Sequence, residues 1–137
     1  EVELKKYALL EEVGRALNPA MVEGQSVGGL VMGLGGTFLD HLIYDDDGQL
    51  LTTNLADYLL PVSTGLPEIT SIMREDYPSD SNPMGFKGVG EGGITSVAGA
   101  VGNAVAQALK GHGVEITDLP LSPARLYALI DEAGSKI

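Results

Sequence analysis

The residue best suited to chemistry is a glutamate in an unusual place. Glu91 stands in GFKGVGEGGITS, residues 85–96, where five glycines, one lysine and one glutamate share twelve positions. A carboxylate enclosed beside a ligand can take a proton from a reacting oxygen near neutral pH. The same carboxylate can do no more than favour the positive end of a helix dipole, and the residues alone leave both roles open. The glycines are expected to allow a bend that side chains would forbid, and to let backbone amides crowd an electron-rich group above the helix that follows. Lys87, four residues before Glu91, reads as a structural tie for the loop. Gly88, Gly90 and Gly93 spell GxGxxG, but NPMGF is a poor preceding strand, and no Gly-Lys-Ser/Thr follows. Dinucleotide binding and a phosphate loop are therefore both disfavoured.

Other chemistries are narrowed by composition. The 137 residues contain no cysteine, which removes disulfides, thiolate metal sites and iron–sulfur ligation by this chain. His41 and His112 lie far apart and form no HxH or HExxH pattern, so no protein side chain is assigned as a metal ligand. The acidic run YDDDGQ at 44–49 reads as a solvated turn, because the further oxygen ligands of a calcium loop are missing. Nineteen acidic residues against eight basic give a net charge of −11, so no nucleic-acid partner is expected. No stretch has the ~18–20 continuous apolar residues of a membrane span. The first residues lack a signal peptide's layout and read like the middle of a longer chain; the expected location is the cytoplasm.

The elements that must position these residues alternate in type. Residues 2–13 predict a strand ending at Gly14. Asn18 suits an N-cap and Pro19 a first helical position, predicting a helix to about Leu39 despite six interior glycines. Each such glycine costs up to about 1 kcal/mol against alanine, so they must serve close packing or the approach of a flat ligand. A helix so poor in side chains is expected to be buried on several sides. Residues 41–54 predict a hairpin turning at Asp47-Gly48, 55–67 irregular chain, and 68–76 a strand. A long Pro- and Gly-rich loop over 77–93 precedes an amphipathic helix from about Ile94 to Gly111. Ser122-Pro123 opens a last helix through about Glu132. The pattern predicts an α+β fold, one domain of mixed strands and helices.

Taken together, LNPAMVEGQSVGGLVMGLGG at 17–36, DYLLP at 57–61, NPMGFKGVGEGGITS at 82–96 and LPLSPARLYALI at 119–130 resemble the C-terminal part of the molybdenum-binding large subunit of the xanthine dehydrogenase/aldehyde oxidase family, the molybdenum hydroxylases. The resemblance covers nearly the whole chain. It implies a C-terminal portion of the molybdopterin-binding domain over residues 1–137, either a fragment or a separately encoded piece of a larger subunit. The cofactor implied is molybdopterin with molybdenum, in bacterial members often as the cytosine dinucleotide, shared with segments outside this sequence. Iron–sulfur centres and FAD are implied on partner subunits or domains, and an oligomer is expected.

By position in the family's GVGE motif, Glu91 is the base that acts on the metal-bound hydroxide, while water supplies the oxygen entering a small substrate. Gln25, in the family's GQ motif, falls beside the cofactor; its alternative role is capping or packing within the glycine-rich helix. Gly88, Val89 and Gly90 are implied to bring loop backbone close to the metal's ligands. GEGG sits nearer the aldehyde- and heterocycle-oxidising members than those oxidising carbon monoxide. By itself the chain could hold the base but is not expected to hold molybdenum or to be active. The competing reading is a non-catalytic assembly module of the same complex.

Overall fold

The computed structural model describes residues 2–134. Strand β1 (Lys6–Glu12) pairs in parallel with β2 (Glu68–Arg74), Lys6 opposite Glu68 and Glu12 opposite Arg74. The side-chain period of two buries Leu9 against the core and leaves Leu10 and Ile72, opposite each other, on the outer face. The expected strand over 2–13 is shortened at its start, since pairing begins only at Lys6. One more rung follows it, where the Val13 amide donates to the Arg74 carbonyl at 2.9 Å.

Helix α1 (Pro19–Phe38) begins as its sequence requires. The Asn18 side chain accepts from the Met21 amide at 3.2 Å, and Pro19 takes the first position. Val22, Ser26, Leu30, Gly33, Leu34 and Thr37 form its buried face. Its glycines divide by role. A Cβ on Gly33 would run into the Val97 side chain, and one on Gly29 would sit 3.1 Å from Gly93 Cα, so these two allow close helix approach. A Cβ on Gly24, Gly28 or Gly36 would meet nothing. Burial on several sides is thus corrected: Met21 and Met32, 65% and 67% exposed, mark an open face along the helix.

The hairpin over 41–54 is reduced to a turn and one antiparallel bridge, Tyr44 to Leu50. Its turn chemistry is as read. Gly48 has φ of 78°, and the Asp45 carboxylate accepts from the Asp47 and Gln49 amides at 3.0 and 2.8 Å. Leu42, Ile43, Tyr44 and Leu51 are all exposed, so no packed face sustains a ladder.

The helix expected over 94–111 is two pieces. Helix α2 (Gly92–Thr95) is a single turn, followed after Ser96 by α3 (Val97–Ala108). Thr95 Oγ1 donates to the Glu91 carbonyl at 2.8 Å, the kind of side-chain bond that competes with helix continuation. Val97, Val101 and Val105 recur on one face of α3 and join Leu9, Leu30, Leu34, Leu121 and Leu126 in the core. Burying each such side chain contributes about 1.5–3 kcal/mol before entropy. Helix α4 (Pro123–Gly134) starts at Ser122, whose hydroxyl accepts from the Arg125 amide at 3.3 Å. The Leu121 amide, donating to the Thr37 carbonyl at 2.7 Å, ties this end to α1. The result is the expected α+β arrangement: three longer helices around a small sheet.

Candidate functional site

The glycine loop is fastened first where it leaves the sheet. Gly14 and Gly85 adopt φ of 69° and 73°, a backbone that side chains rarely take, and Gly14 bridges Phe86 in antiparallel fashion. The Gly85 carbonyl accepts from the Arg15 and Ser79 amides at 3.0 and 2.9 Å, and the Lys87 amide donates to the Val13 carbonyl at 3.1 Å. Lys87 Nζ lies 3.8 Å from Glu12 Oε1, which gives this lysine the structural role read from the sequence.

Glu12 is the hub of this corner. Its Oε1 accepts from the Gly14 and Tyr77 amides at 2.9 and 3.2 Å, and its Oε2 from the Asp76 amide at 3.1 Å. Partial burial pushes its carboxyl upward, but the Gly14, Tyr77 and Asp76 amides and the Lys87 charge outweigh that and hold it below the ordinary 4.5. A lowered folded value stabilises above the unfolded value and withdraws that support as pH falls through the folded one. Acidification below 4.5 is therefore expected to lower the melting temperature of the protein more in wild type than in Glu12→Gln. Equal acid sensitivity of the two would show that this carboxylate carries none of the effect.

The loop is fastened again where α2 meets α1. Here the need for glycine is steric. A Cβ on Gly93 would overlap the Ser26 carbonyl, and one on Gly92 would overlap Glu11 Oε1. Ser26 is buried, and its one hydroxyl proton is shared between the Val22 carbonyl at 2.9 Å and the Glu11 carboxylate. The backbone around residue 91 is thus set by β1 and α1 together.

Between the two fastenings stand the residues singled out by sequence. Gly88, Gly90 and Glu91 are exposed and Val89 is half-buried. The Glu91 carbonyl accepts from the Ile94 and Thr95 amides, both at 3.3 Å. Its side chain has no hydrogen-bond or ion-pair partner among the described residues. Gln25 comes to the same place from α1: its Oε1 lies 3.8 Å from where a Cβ on Gly90 would sit. The bend falls at the first glycine of the stretch: Gly85 is left-handed, while neither Gly88 nor Gly90 has positive φ. The single turn of α2 also replaces the long helix whose N-terminus was expected to face a ligand.

Glu11, Glu12, Ser26 and Gly92 were not identified from sequence. The available signal was the acidic pair ending a strand just before Gly14, together with a serine next to Gln25. Among the described residues no three His, Asp or Glu side chains gather as a metal site, and no helix is long and apolar enough to cross a membrane.

The Molybdopterin cofactor-binding domain family matches residues 1–67. The chain is 36% identical over 123 residues to the 6-hydroxypseudooxynicotine dehydrogenase complex subunit gamma of Paenarthrobacter nicotinovorans, an alignment covering 90% of this chain and 15% of that protein. It is 37% identical over 135 residues to a xanthine dehydrogenase molybdenum-binding subunit of Escherichia coli, covering 98% of this chain and 17% of that one. The crystal structure of quinoline 2-oxidoreductase from Pseudomonas putida superposes with a TM-score of 0.90 at 40% identity, over 95% of this chain and 16% of that chain. The chain therefore spans about a sixth of these relatives' length. On these likenesses, the chain fits the C-terminal part of the molybdenum-binding large subunit of the xanthine dehydrogenase/aldehyde oxidase family.

Proposed function

We propose that this chain is one part of a molybdenum hydroxylase that oxidises an aldehyde or heterocycle with oxygen from water, and that Glu91 is its proton acceptor. One observation carries the reading. Gly88 and Gly90 have no use for being glycine within this chain, having neither positive φ nor a close neighbour. They lead into an exposed, unpartnered carboxylate, and Gly90 stands beside the Gln25 amide. Backbone bared in this way suits a group that approaches from outside the chain, and the donors and acceptors on hand fit the oxygens and ring nitrogens of a pterin.

Gly88, Val89, Gly90 and Gln25 would hold one side of molybdopterin, with or without its cytosine dinucleotide. When bound, that group supplies a Lewis acid that makes water acidic and a sink for two electrons. Glu91 takes the proton released as the oxygen nucleophile forms and holds it on its carboxylate. Gln25 orients by hydrogen bonding, and the half-buried Val89 narrows access of bulk water. Residues 1–137 are read as a C-terminal portion of the cofactor domain, a fragment or a separately encoded piece. The open face of α1 and the exposed Leu10 and Ile72 suit burial by the remaining large-subunit segments. Iron–sulfur and flavin subunits complete the proposed assembly as the electron outlet. A cytoplasmic location is proposed for it, since a chain without cysteine calls for no oxidising compartment.

The test is isolation from the native source, with analysis of metal and pterin. Molybdenum and pterin are expected to co-purify with this chain, with larger iron–sulfur partners. A purified assembly of this chain with neither molybdenum nor pterin would overturn the reading.

A further inference from the structure

We infer that the adjacent pair Glu11 and Glu12, at the end of β1, grips the two ends of the Glu91 loop and so aims its carboxylate. Strand alternation sends consecutive side chains to opposite faces, so neighbours in sequence can reach two separate pieces of chain. Glu12 takes the loop's entrance: it faces Lys87 Nζ at 3.8 Å while three amides, those of Gly14, Asp76 and Tyr77, fix its carboxylate. Glu11 takes the exit. One of its oxygens receives the buried Ser26 hydroxyl, and the other occupies the space over Gly92 where a side chain would stand.

Between these grips, residues 88–90 make no hydrogen bond within the described chain, so the direction of Glu91 depends on how its ends are held. The chain on either side has further ties besides the pair. Gly85 is bonded to Arg15 and Ser79, and Gly93 lies against Ser26 and Gly29. Loss of either grip therefore loosens the loop without releasing the fold. Glu11 and Glu12 are positioning residues, and their effect on turnover rests on Glu91 being the base.

The test uses the assembled, molybdenum-loaded enzyme. Glu11→Ala is expected to lower kcat per molybdenum about tenfold to a hundredfold, the scale of a small misplacement of a reacting group. KM is expected to stay within about twofold, since the interaction lost serves only the chemical step. Amide exchange at Ile94 and Thr95, both bonded to the Glu91 carbonyl, is expected to quicken about tenfold or more. Glu11→Gln keeps an acceptor for Ser26 and the same shape, and is expected to restore most of both readouts. Lys87→Met releases the entrance without touching the Gly14, Asp76 and Tyr77 amides, and is expected to quicken exchange at Ile94 and Thr95 as well.

Unchanged exchange at Ile94 and Thr95 in both Glu11→Ala and Lys87→Met would overturn the inference, as would a Glu11→Gln variant no better than Glu11→Ala. The exchange readout does not depend on turnover. A wild-type-like Glu91→Gln would therefore remove the base while leaving the grip to be judged by exchange.

Discussion

Glu91→Gln in the assembled enzyme is expected to lower kcat by about 10²–10⁴-fold, the usual worth of a positioned general base. Molybdenum and pterin content are expected to match wild type. The substitution is nearly isosteric. The side chain it alters makes no hydrogen bond or ion pair among the described residues, so neither the fold nor the loop has reason to move. What disappears is the capacity to accept a proton, because an amide has no basic lone pair at neutral pH. If that proton is transferred in the rate-determining step, kcat and kcat/KM fall together while substrate binding is kept. A variant with intact cofactor and turnover within a few-fold of wild type would remove Glu91 from the mechanism. A variant lacking molybdenum would instead show that the carboxylate helps retain the cofactor, which contradicts its role as a proton acceptor alone.

Much of this arrangement is legible in the sequence where local chemistry decides the outcome. Asn18-Pro19 starts its helix where it should, Ser122-Pro123 does likewise, and Asp47-Gly48 turns the chain. Both strands lie within their expected spans, and Gly90, next to Glu91 in the chain, does lie beside the Gln25 side chain. The failures lie where tertiary contact overrides pattern. Residues 94–111 carry one continuous helical periodicity, yet Thr95 turns its hydroxyl onto the Glu91 carbonyl and the helix divides at Ser96. The hairpin over 41–54 has suitable residues but no surface to pack on. The glycines misled in a subtler way. They look alike in sequence, yet Gly85 is required for its φ, Gly93 for a backbone contact, and Gly88 for nothing inside this chain. Which of these holds at each position depends on where Ser26 and Glu11 stand, residues some 65–80 positions away in sequence. No local reading contains that distance.

The second large effect is expected from one methyl group on Gly93. In Gly93→Ala the new Cβ would overlap the Ser26 carbonyl oxygen and lie 2.9 and 3.0 Å from the carbonyl carbon and Cα of the same residue. Those atoms are helix backbone, and retreat of α1 would draw Leu30 and Leu34 out of the core. The turn α2 must lift instead, at a cost of about 1–3 kcal/mol for overpacking. Glu91, two residues earlier, moves with it, and displacement by about 1 Å costs a reacting group about a hundredfold in rate. Gly92→Ala makes the useful comparison. Its methyl would meet the end of the Glu11 side chain, which can swing aside where backbone cannot. Gly92→Ala should therefore melt close to wild type and lose less turnover, about tenfold, through the weakened grip at the loop's exit. The ranking is the test, read as kcat per molybdenum and as melting temperature of the loaded subunit. If Gly93→Ala proves as stable and as active as Gly92→Ala, then contact between α1 and α2 is not what holds residue 91 in place, and the carboxylate must owe its direction to something beyond these two helices.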